Sequence, residues 1–202
     1  MGGSMKVSLS RIVEIYEKEI RKNTKNKKKV YYFEKNKMQV CSEVYDKLCG
    51  DYDGGRYNYF YIYEPKKRFI MSQNLVDKLI NHYVAREVLL PRLEKRLDFR
   101  NVATRKNLGL HYGRNLFKKY LNKLKDGYVL TLDIHAYFYS IDHKVLKEML
   151  YPLLDEEEMK LVSIIIDSTN AIYPKGKGLP IGYRNYNIMQ TVIMKLCFLF
   201  YK

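Results

Sequence analysis

The chain has three cysteines in 202 residues, too few for a disulfide scaffold, and is expected to sit in a reducing cytoplasm. No apolar run reaches the ~18–20 residues that a membrane-spanning helix needs. The longest, near 191–201, is broken by Lys195, so no membrane partner is expected. Nothing at the start resembles a signal peptide, because the first apolar stretch carries Glu14, Glu17, Lys18 and Glu19. There is no internal repeat and no low-complexity tract. His82, His111, His135 and His143, with Cys41, Cys49 and Cys197, form no zinc spacing. GKGLPIG lacks the Gly-Lys-Ser/Thr of a Walker loop. GDYDGG at 50–55 is a turn cluster, and as a calcium loop it fails at its twelfth position, where Ile62 stands in place of a bidentate Glu.

What is present is charge. Lys and Arg number 37 against 22 Asp and Glu, a formal net charge of +15, while 47% of residues are hydrophobic. A chain of this composition packs a core and seeks a polyanion. Residues 1–4 read as an expression scar. Helices are predicted at 8–22, 37–49, 73–96 (bent or split at Pro91), 111–125, 142–150 and 155–168, and from 183 to Lys202 after a Gly/Pro-rich loop at 174–182. Aromatic strands are predicted at 57–63 and 67–71 around Glu64-Pro65. YVLTLDI at 128–134 has the pattern of a strand buried on both faces. Six basic residues fall within 21–29, which reads either as a solvated linker or as a phosphate-contacting arm.

Asp133 is the foremost candidate for chemistry. A carboxylate at the end of a buried strand is costly unless it is paired or binds a metal, although a solvent-exposed strand end would make it ordinary. LDIHAYFYSIDH (132–143) follows it with a tight aromatic turn and a helix start at Asp142. A hard oxygen ligand so placed suits Mg²⁺, which takes one or two carboxylates and completes its shell with water and phosphate.

That block resembles motif A of bacterial reverse transcriptases of the group II intron, retron and diversity-generating type. KGKGLPIG (175–182) resembles their motif B. PKKRFIMSQNLVDKLINH (65–82) and NVATRKNLGLHYG (101–113) are similar to their two fingers blocks. The four blocks keep the family's order over roughly 60–182. The resemblance implies an α+β right-hand polymerase fold, with an N-terminal helical extension at 5–55, fingers at 56–126 and a partial palm at 127–202, the thumb being absent. It implies an RNA template, a DNA primer, dNTP and Mg²⁺ as partners.

By position the resemblance makes Asp133 catalytic, a metal ligand together with the Ile134 carbonyl. Lys66, Lys67 and Arg68 would neutralise the triphosphate, as phosphoryl transfer requires. Phe138 would exclude a ribose 2′-OH, and Gly182 would border the nucleotide. Arg100, Arg105 and Lys106 would lie near the template, with Gly178 and Pro180 against the templating base pair. Singly, each residue has an ordinary reading: Phe138 as core, Arg68 as an edge-strand charge, the glycines as a turn. Two departures stand out. The family's motif C carries an Asp-Asp pair, and this sequence has none; after Gly182 it runs Tyr-Arg-Asn-Tyr-Asn in place of the family's pattern. The expectation is a polymerase fragment inactive by itself, its palm surface open to self-association. The alternative is a non-catalytic RNA-binding or partner-dependent module on a degenerate polymerase fold.

Overall fold

The computed structural model describes residues 6–65, 67–102, 105, 107–124, 126–171, 173 and 175–180. Ser8 caps the first helix, α1 (Leu9–Ile15), which runs on through a wider π-helical turn, Tyr16–Arg21. Ile12, Ile15, Tyr16 and Ile20 recur at helical spacing and are buried. The second helix, α2 (Lys27–Cys49), is longer than the predicted 37–49 because Asn26 caps it ahead of the basic run. Lys27, Lys28 and Lys29 therefore form its first turn rather than a linker, and Arg21 is paired with Glu34. Burial of Val40, Cys41, Val44 and Leu48 seats the C-terminal half of α2 on the core.

Burial pushes the Cys41 thiol up to about 11, whereas Cys49 at the end of the same helix is exposed. Treatment of the native chain with iodoacetamide at pH 8 is expected to alkylate Cys49 and spare Cys41 until urea unfolds it. Mass spectrometry of the two peptides checks this, and equal rates would contradict the packing of α2 against α1. Because the folded thiol ionises above the unfolded one, its contribution to stability is full below the ordinary thiol range. That contribution is lost as pH rises toward about 11.

Strands β1 (Tyr57–Ile62) and β2 (Arg68–Gln73) form an antiparallel hairpin in the predicted place, with Tyr61 opposite Phe69 and Tyr59 opposite Met71. Asn74 then caps α3 (Leu75–Tyr83), whose Leu79, Ile80 and Tyr83 are buried. Even its polar Asp77, Asn81 and His82 are buried; Asn81 donates to Gln73, and Gln73 donates to the Gly54 carbonyl. Pro91 does not split this helix. A π-helical turn at Val84–Leu89 widens the backbone just ahead of it, and α4 (Leu90–Leu93) carries the helical run on past the proline.

The fifth helix, α5 (Leu110–Leu121), ends earlier than the predicted 125 and has no buried residue. The largest departure follows it. Residues 128–134 form no strand: Leu130 and Leu132 are about 80% exposed, and none of the described residues pairs with the segment. Apolar composition encodes a wish for burial, but a strand exists only where neighbouring backbone accepts its hydrogen bonds.

Regular secondary structure resumes at α6 (Tyr137–Ser140), α7 (His143–Leu150) and α8 (Glu156–Asp167). Asp142 caps α7, and Asp155 with Glu158 forms a reciprocal capping box on α8. Arg92 pairs with Glu158, and Tyr57 hydrogen-bonds Ser168, joining α8 to α4 and to the hairpin. One buried cluster runs from Ile12 to Leu179. The architecture is α+β: mixed helices around a small two-stranded antiparallel sheet. Among the described residues no helix is long and apolar enough to cross a membrane. The predicted last helix, 183–202, lies outside the described residues.

Candidate nucleic-acid interface

Period-two alternation sends Tyr59 and Tyr61 of β1 to one face of the hairpin, together with Phe69 of β2. The Phe69 ring lies 5.2 Å from Tyr61 and 6.1 Å from Tyr59, centroid to centroid. Lys67, in the connection, places its ammonium 4.8 Å from the centre of the Tyr61 ring and 5.9 Å from that of Tyr63. Arg68 begins β2 on the opposite face, paired with Ile62, and is exposed. Among the described residues no carboxylate forms an ion pair with Lys67 or Arg68, so both cations are available to an anion. Lys66 lies outside the described residues.

A second assembly joins 138–143 to the Gly-rich loop. Leu179 N–H donates to the Phe138 carbonyl and Gly178 N–H to the Ile141 carbonyl, both at 2.8 Å; His143 N–H donates to the Gly176 carbonyl at 2.9 Å. Asp142 and Lys177 form a short antiparallel bridge. The buried His143 ring sets Nε2 2.8 Å from the Gly178 carbonyl, which also accepts from Thr169 Oγ1 at 3.0 Å. His143 Nδ1 stands 3.4 Å from Asp167 Oδ1, without hydrogen-bond geometry. Asn170 Oδ1 accepts from Gly176 N–H and fixes the loop from the short 3₁₀ turn Ser168–Ala171 that follows α8. The two blocks quoted for motifs A and B are thus locked together by main-chain pairs.

Within this assembly Gly178 has a φ of +88° and lies close against the Tyr173 ring, where a Cβ would stand 2.9 Å from ring carbons. Burial pushes the Tyr173 phenol up to about 12. Phe138 is half-buried against the core and stacks edge-on with Tyr137 at 5.6 Å. Pro180 is buried, and Gly182 lies outside the described residues.

Asp133 is exposed, not buried as the strand pattern implies, and no hydrogen bond or ion pair joins it to another described residue. The Ile134 carbonyl is its neighbour on the same exposed segment. Among the described residues no three His, Cys, Asp or Glu side chains converge. Asp142, the next acidic residue, spends its carboxylate on the N-terminus of α7. One carboxylate and one carbonyl do not make the two-ion clamp of in-line phosphoryl transfer, so the described residues do not fit that centre.

Arg100 is held by Asp98 in a two-pronged pair and remains exposed. Arg105 turns inward and donates to the carbonyls of Asp98 and Asn101, at 3.0 and 3.3 Å. It braces its own loop. Lys106 lies outside the described residues. The sequence reading did not place an exposed ring face on the hairpin and did not foresee the His143 joint. The first was written in the alternating tyrosines of YNYFYIY, whereas nothing local in the sequence marks the second. No protein-family model matches this chain, and no curated protein matches it.

Proposed function

We propose that this chain is the fingers and partial palm of an RNA-directed DNA polymerase of the bacterial reverse-transcriptase type. The support is the order of the four sequence blocks, and above all the main-chain joint between 138–143 and 176–179. In this reading Lys67 and Arg68, with Lys66, meet the triphosphate of the dNTP, and Phe138 lies beside its sugar. Gly178, Pro180 and Gly182 border the base pair, and Arg100 lies toward the RNA template and its DNA primer. Asp133 and the Ile134 carbonyl would supply one carboxylate and one carbonyl toward the Mg²⁺ centre of the whole polymerase, which needs further carboxylates than these. With no Asp-Asp pair in its sequence, the chain by itself extends no primer.

The exposure of Asp133, with no acidic partner beside it among the described residues, favours a second reading: a non-catalytic RNA-binding or partner-dependent module on a degenerate polymerase fold. Binding across a salt series separates the readings from a protein of other function. RNA affinity is expected to fall steeply with salt, and the double variant Lys67→Gln/Arg68→Gln to flatten the slope by about 2. Binding of dNTP on a template-primer, lost in Arg68→Gln, would support the polymerase; RNA binding without it would support the module. Salt-independent binding would remove both. Primer extension that disappears in Asp133→Ala would overturn the expected inactivity.

A further inference from the structure

We propose that the ring face of the β1–β2 hairpin is a stacking platform for the unpaired bases of a single-stranded nucleic acid. Tyr59, Tyr61 and Tyr63 are 63%, 51% and 67% exposed, although rings of this size usually supply core. They do not stand alone. Phe69 is wedged against Tyr59 and Tyr61, and Tyr63 lies 6.3 Å from Tyr61, so the face is a continuous ladder. Cross-strand ring pairs stabilise a hairpin, which accounts for Tyr61 opposite Phe69. It does not account for Tyr63, beyond the strand end, or for a cation at the rings.

The charge and the spacing choose the ligand. Lys67 rests over Tyr61 without a carboxylate partner among the described residues, on a long flexible stem. When a base takes the ring, the ammonium can turn to the neighbouring phosphate. Alternate residues along a strand are about 7 Å apart, roughly twice the ~3.4 Å step between stacked bases of a duplex. Successive rings therefore suit the splayed bases of an extended strand, not a closed duplex. An exposed aromatic face flanked by cations, on a chain of net charge +15, is the chemistry of single-strand binding. The inference rests on the nucleic-acid part of the proposed function and uses none of its polymerase chemistry.

Fluorescence anisotropy with the full chain tests it, using a labelled uridine oligomer and an abasic oligomer of the same length and phosphate count. Each base stacked on a ring is expected to favour the uridine oligomer over the abasic one by about tenfold. Tyr61→Ala and Tyr63→Ala should each remove about that factor for uridine and leave abasic binding unchanged, while Tyr61→Phe retains it. Tyr63 lies outside both strands, so its variant reads the ring contact without disturbing the hairpin. Equal affinity for the two oligomers, or a Tyr61→Phe as weak as Tyr61→Ala, would overturn the platform and leave the polymerase reading standing. Binding of neither oligomer would overturn both, and loss of dNTP binding alone would leave the platform in place.

Discussion

Gly55→Ala lowers folding stability by about 3 kcal/mol, read as a fall in the urea midpoint at unchanged slope. Gly55 has a φ of +69°, and a Cβ built there would collide with the Asp77 carboxylate. That carboxylate cannot step aside. Asp77 is 1% exposed, capped within α3, and its Oδ2 accepts the Arg56 N–H at 3.3 Å. Lys47 Nζ stands 3.7 Å from Oδ1, too far to hydrogen-bond but close enough to balance the charge. Tyr52 beside it is buried as well, and burial and the nearby Asp77 both push its phenol upward. Displacing a buried charge from its donor adds to the backbone strain of a left-handed alanine. Gly176 is the comparator: its φ is +79° and nothing lies within 4 Å of its added Cβ. Gly176→Ala should cost only about 1 kcal/mol. Equal losses at the two sites would refute the close approach of Gly55 to Asp77.

His143→Ala is expected to cost about 2 kcal/mol and to loosen the joint between 138–143 and the Gly-rich loop. The loss comes from the cavity beneath α7 and from one of two hydrogen bonds to the Gly178 carbonyl. Thr169 still serves that carbonyl, which limits the penalty. Hydrogen exchange gives the local readout. The amides of His143, Gly178 and Leu179 donate to partners on the far side of the joint, and they should exchange about 30-fold faster in the variant. Amides within α1 and α2 should keep their protection unless the whole fold opens. Unchanged exchange at Gly178 and Leu179 would show that main-chain pairs alone hold the loop.

Much of the local structure was legible in the chain. Asn26, Asn74, Asp142 and Asp155 each cap a helix with their side chain, and three of those helices start where residue type and apolar spacing predict. The exception is α2, whose basic opening reads as solvated charge until Asn26 is seen to cap it. The hairpin was legible for the same local reason: aromatic and β-branched residues on either side of a Pro turn. YVLTLDI was not. Its apolar residues ask for a buried strand, yet in the structure Leu130 and Leu132 meet solvent. A sequence segment cannot carry its own strand partners.

The candidate site divides along the same line. Residue types placed the basic and aromatic groups of the hairpin and the order of the blocks, because charge, ring and alternation are properties of a few adjacent residues. Tertiary structure decided that Arg105 braces a loop, that Phe138 is half-buried and that Asp133 faces water. It also decided that His143, one of four histidines without a shared ligand spacing, reaches 35 residues along the chain to the Gly178 carbonyl. Helices and hairpins follow from neighbours in sequence; burial, pairing and the company a side chain keeps follow from segments far apart. Only the fold brings those together.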